Sequence, residues 1–139
     1  MAWYAAHLIL YTKFDDGVQD NYPVWENVVL IEAASSDQAF DKADRKGVAE
    51  AEASAGSRYT YNGRPATWVF AGVRKLNECL EDFDPANRAV GGVEQDGTEV
   101  TYSSFIVDSE VSLQRLVADK DVSLVYEGYG DAEDNNEAA

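Results

Sequence analysis

His7 is the only histidine in the chain and Cys79 the only cysteine. A single cysteine allows neither an internal disulfide nor a cysteine metal cluster. A single histidine acts as a general base or pH switch only with a partner, and none is visible beside it in sequence. His7 lies in the apolar stretch "MAWYAAHLILYTKF", where a packed, hydrogen-bonded imidazole is the ordinary expectation. Ser-His-Asp chemistry draws its members from distant positions, but no nucleophile-elbow pattern supports it.

Carboxylates offer more choices. Glu26 and Glu32 share one face of an expected strand, six residues apart. That is roughly 20 Å, too far to hold one substrate. Glu26 meets Glu99 only if the strands are suitably arranged; such a pair would suit acid–base work or Mg²⁺. The competing expectation is ion pairing of these acids with Arg58, Arg64 or Arg74 on neighbouring strands. "LEDFDP" and "EQDGTE" lack the ligand spacing of an EF-hand loop. Gly91-Gly92 has neither a Walker lysine nor a GxGxxG context. No catalytic residue, metal ligand set or cofactor is therefore assigned. Three tryptophans and eight tyrosines supply core, and one or two of them a binding patch. The candidate binding residues are Trp3, His7, Tyr11, Glu26, Trp68 and Glu99. Trp3, His7, Ile9 and Tyr11, on one face of the first strand, form the leading patch.

Charge narrows the partners. The chain of 139 residues carries 26 acids against 11 bases, a formal net charge of -15. The stretch from Gly128 to the end holds four acids and no base, and the remainder still carries -11. Between Glu78 and Glu99 only Arg88 interrupts seven acids. Such a surface repels phosphate backbones and attracts basic proteins; it also serves solubility or a salty cytoplasm. The apolar start has no basic n-region and is too short to span a bilayer, so a cytoplasmic protein without membrane contact is expected.

These residues need elements to place them. Residues 2–14 are apolar on both alternating faces, which suits an interior strand. "FDDGVQDNYP" is a connection. In "VWENVVLIEAA", Trp25, Val29, Ile31 and Ala33 share one face, and Glu26, Val28, Leu30 and Glu32 the other. Ser35 with Gln38 is a capping box opening a helix. Ala39, Phe40, Ala43, Gly47 and Ala51 recur along one side of it. Gly47 costs this helix about 1 kcal/mol relative to alanine and can end or bend it; Gly56 is the better stop. Asn62-Gly63 signals a tight hairpin leading into the strand "ATWVFAGVRKL". "TEVTYSSFIV" is another strand. Asp108 or Ser109 caps a short helix, and "VSLVYEG" is a last strand. The expectation is one α+β domain over residues 1–127, a mostly antiparallel sheet of five or six strands with two helices packed on one face. Residues 128–139 are expected to be a disordered acidic tail.

Trp3-Tyr4, "WENVVLIEA", "SSDQAFDKA", the Tyr-Asn-Gly hairpin, "TWVFAGVRKL" and "GTEVTYS" follow in order. As an ordered set they resemble a bacterial family of domains of unknown function (DUF series, family 4288), over residues 3–107. The resemblance implies a small intracellular bacterial domain and carries no catalytic residues with it.

Three functions remain open. The first is a non-catalytic module of immunity or inhibitor type that binds a protein, in particular a basic one. The second is a small-molecule- or metal-binding protein, or modest hydrolase, with an acid-lined cleft at Glu26 and Glu99. The third is a homo-oligomeric structural subunit, in which the partner is a second copy.

Overall fold

The computed structural model describes residues 2–56, 58–79, 89–90, 93–94 and 96–129. Apolar side chains on both faces make strand β1 (Ala2–Phe14) the middle of the sheet. Strands β2 (Tyr22–Ala33) and β4 (Arg64–Glu78) flank it, both antiparallel. Strands β3 (Thr60–Tyr61), β7 (Glu99–Val107) and β8 (Val125–Tyr129) complete a six-stranded antiparallel sheet in the order β3-β4-β1-β2-β7-β8. Strands β5 (Ala89–Val90) and β6 (Val93–Glu94) pair separately. With helices α1 (Ser36–Ser54) and α2 (Glu110–Val117), the architecture is α+β as expected. β8 continues through Tyr129; the rest of the expected tail, "LEDFDP" and Gly91-Gly92 lie outside the described residues.

The local signals work as their chemistry requires. Ser35 Oγ accepts from Gln38 N at 3.2 Å, and Gln38 Oε1 accepts from Ala34 N, one residue beyond the usual capping-box donor. α1 runs through Gly47 unbroken to Ser54, and Gly56 beyond it has φ +78°. Asn62 and Gly63, at φ 51° and 78°, make the turn between β3 and β4. Ser109, not Asp108, caps α2 by accepting from Ser112 N. Asp108 accepts from Ser112 Oγ instead.

The helices do not share a face. α1 covers Tyr4, Ala6, Leu8, Leu10, Val29 and Ile31 with Ala39 and Ala43. α2 covers Ile9, Val24, Phe105 and Val107 with Leu113 and Leu116. The physical reason lies in β1, whose odd positions are as apolar as its even ones. Each face then needs its own cover. Gly72 makes the second approach feasible, since a Cβ there would sit 2.8 Å from Val117 Cγ1. Gly47 does the same for α1, which lies directly on the Phe70 ring.

β4 carries two extra residues. His7 pairs with Lys75 but Leu8 with Val73, and Ile9 pairs with Gly72 but Leu10 with Phe70. Arg74 and Ala71 are therefore bulges, which add twist to the strand. One side-chain bond links the two end strands of the sheet: Tyr61 Oη on β3 donates to Glu127 Oε1 on β8 at 2.9 Å, with no backbone pairing between them among the described residues. Tyr61 also meets Trp25 and Phe14 edge-on.

Candidate functional site

The α2 face of the sheet assembles a charged network around His7. In the β1–β2 register His7 lies opposite Val28 and Ile9 opposite Glu26. Glu26 is thus the diagonal neighbour of His7 on the same face. His7 Nδ1–H donates to Glu26 Oε2 at 2.6 Å, and Arg74 Nη1 donates to Glu26 Oε1 at 2.8 Å. Arg74 Nε lies 3.2 Å from Asp119 Oδ1, close enough for ion pairing but not aligned for a hydrogen bond. Lys75 Nζ stands 4.0 Å from the same oxygen. Burial pulls the Glu26 carboxyl upward, but the His7 hydrogen bond and the Arg74 guanidinium prevail and hold it below its ordinary value.

Backbone devices place the two partners that alternation would have put elsewhere. At the bulge, Arg74 and the following Lys75 both reach Asp119. Asp119 occupies the left-handed position after α2, at φ 58°. Asp119 N donates to Leu116 O and Lys120 N to Arg115 O, the paired bonds of a Schellman ending. Glycine usually takes that position; here the carboxylate is used against Arg74.

Chemically, a carboxylate on imidazole Nδ1 fixes the ring and leaves Nε2 as the remaining nitrogen. Among the described residues no nucleophile bonds to it. Both Glu26 oxygens are occupied, so the arrangement holds β1, β2, β4 and the end of α2 together. Glu26 thus meets the expectation of arginine pairing, through Arg74. Glu99 does not join it. Glu99 is paired in register with Val29, on the α1 face, where burial and then Glu50 push its carboxyl up while Lys46 opposes. The two acids lie on opposite faces and line no common cleft. Glu32 is also buried on the Glu26 side.

The remaining candidates separate. Trp3 is 3% exposed and Ile9 fully buried, so the leading patch offers little surface at those two positions. Trp68 belongs to an aromatic cluster beside α1, stacked on Tyr59 and 4.6 Å from Trp25 between ring centroids. Tyr59 is tied to Thr12 by a 2.9 Å hydroxyl bond. Tyr11 lines a cleft of about 320 Å³ between α2 and the β1–β2 turn, with Lys13, Tyr22, Glu110, Leu113 and Val117 among its walls. Tyr11 and Tyr22 meet edge-on at 5.6 Å. Burial, then Tyr22 and Glu110, push the Tyr11 hydroxyl up. Among the described residues no three His, Cys, Asp or Glu side chains are grouped to hold a metal. Asp96, from "EQDGTE", is instead bonded to Lys42 Nζ and to Glu32 N.

No curated protein and no solved structure matches the chain. The sequence model of one family, described as a domain of unknown function (DUF4288), matches residues 3–103.

Proposed function

The chain belongs to the DUF4288 family of domains of unknown function, and we propose that it is a non-catalytic module whose acidic surface binds a basic protein, as an immunity or inhibitor protein would. The carrying observation is where its positive charge goes. Lys42, Arg45, Lys46, Arg64, Arg74 and Lys75 are each ion-paired with a carboxylate of the same chain. Those are six of only eleven bases, against 26 acids. Few cations remain to offset the surplus, and a surface of one sign steers and selects an oppositely charged partner. The use of both Glu26 oxygens as acceptors for His7 and Arg74 supports a binding role over acid–base chemistry.

The test is capture on the immobilised full chain at low ionic strength, followed by reconstitution with the purified partner. A defined complex whose affinity falls steeply with salt is expected. Failure to form any complex at low salt, or a complex indifferent to salt, would overturn the reading.

The cleft at Tyr11 favours a second reading, a small-ligand site. Its mixed walls, two tyrosines with Glu110 and Lys13 at the rim, suit a small zwitterion or amine. Stabilisation in a thermal-shift panel of amines, amino acids and nucleotides, lost in Tyr11→Ala, would establish it. A flat panel would remove it. Sizing chromatography tests the homo-oligomeric alternative.

A further inference from the structure

We propose that β8 is the docking edge, and that it accepts an extended segment of alternating basic and apolar residues as a seventh strand of the sheet. This deepens the preceding reading and rests on it. β8 ends the strand order, and among the described residues no strand pairs with its outer side. A free edge presents backbone donors and acceptors ready for another chain. Edges are commonly blunted by lysine, proline or burial, but β8 instead exposes two large apolar side chains, Val125 at 66% and Tyr126 at 64%.

The side chains beside this edge specify the visitor. Val125 is paired with Ile106 and Tyr126 with Phe105; the neighbouring residues Val125 and Tyr126 thus present opposite faces. Beside Val125 lies a groove of about 310 Å³ whose lining combines apolar Ile106, Leu124 and Val125 with two carboxylates, Asp20 and Asp108. An aliphatic stem ending in a cation fits that composition: the stem of a lysine or arginine covers the apolar side chains and its head meets the aspartates. On the opposite face Tyr126 packs edge-on to Phe105 at 5.8 Å. It extends an apolar surface suited to a valine or an aromatic residue. The added strand therefore alternates basic and apolar.

The experiment uses the ¹⁵N-labelled full chain and two synthetic peptides of equal composition, one alternating lysine and valine and one with its lysines and valines in separate blocks. Amide shifts concentrated on β8 and its flanks, stronger for the alternating peptide, are expected. Val125→Lys should abolish them, and Asp20→Asn should weaken binding by roughly two- to fivefold. Equal, diffuse shifts from both peptides would overturn β8 as the site while leaving a basic partner in place. No shifts from either peptide at low salt would count against both readings. Concentration-dependent dimers abolished by Val125→Lys would assign the edge to a second copy and overturn the foreign strand.

Discussion

Gly47 sits in the middle of α1, where glycine is a poor helix former, and replacing it with alanine tests the close seating of that helix. Propensity alone favours Gly47→Ala by about 1 kcal/mol. The structure opposes it. A Cβ at position 47 would lie 2.5 Å from Phe70 Cζ and closer still to Cδ1 and Cε1. Phe70 stands on β4 next to the Leu10–Trp25 layer and packs against the α1 core. Its ring cannot withdraw without disturbing the sheet. Forcing a methyl into such a contact costs typically 1–3 kcal/mol. The net expectation is a loss of about 1 kcal/mol, read as a fall in Tm of roughly 3–5 °C by differential scanning calorimetry. A double-mutant cycle sharpens the result. In a Phe70→Leu background the same alanine meets less bulk, and the substitution should turn neutral or favourable, with a coupling near 1 kcal/mol. If Gly47→Ala raises Tm in the otherwise unaltered chain, the steric argument is wrong and α1 can lift from the sheet at little cost.

Other perturbations address the charged network and the helix ends. Glu26→Gln leaves Arg74 and His7 without their carboxylate and should cost roughly 2–3 kcal/mol in urea unfolding, less than a fully buried pair because both partners keep some solvent contact. The Glu26 carboxyl is held low in the fold. Its contribution is therefore complete above the ordinary glutamate range and fades as pH falls through the lowered value, so the gap between Glu26→Gln and the unaltered protein should close in acid. At Asp119 the left-handed backbone penalises any residue but glycine, while the carboxylate gains an exposed ion pair of at most about 1 kcal/mol. Asp119→Gly should be nearly neutral and Asp119→Ala clearly worse, by about 1 kcal/mol; the opposite order would show that the left-handed strain carries no weight, and a stabilising Asp119→Gly beside a neutral Asp119→Ala would show that the Arg74 pair carries none. Ser35→Ala should cost about 1 kcal/mol through loss of the α1 cap, visible as a lower urea midpoint.

Elements with strong local signals were legible in the sequence. The two-sided apolar run of β1, the Ser35 cap and the Asn62-Gly63 turn each follow from chemistry within a few residues. What was not legible depends on long-range pairing. Alternation sorts each strand's residues into two faces, but only the β1–β2 register puts His7 and Glu26 on the same one, as diagonal neighbours. Arg74 joins them through a bulge, and an extra residue in a strand defeats strict alternation. Asp119 is reached because α2 crosses to the other face. An alternating pattern cannot reveal that, since both faces of β1 are apolar. Trp3 read as a surface aromatic for the same reason. The exposed edge at Val125 and Tyr126 required the strand order.

The central position of β1 has a consequence for how the chain acquires its shape. β1 precedes every other strand of the sheet in the chain, yet one of its two flanking strands arrives only when Leu8 meets Val73 and Ala6 meets Leu76. Until then the hairpin with β2 presents its most apolar strand bare along one side. Such contacts between distant residues are slow to form, and a waiting hydrophobic strand invites association with its own kind. The early capped helix α1, which packs onto that same hairpin, shields one face during the interval; the other remains bare until α2 follows β7 out of the ribosome.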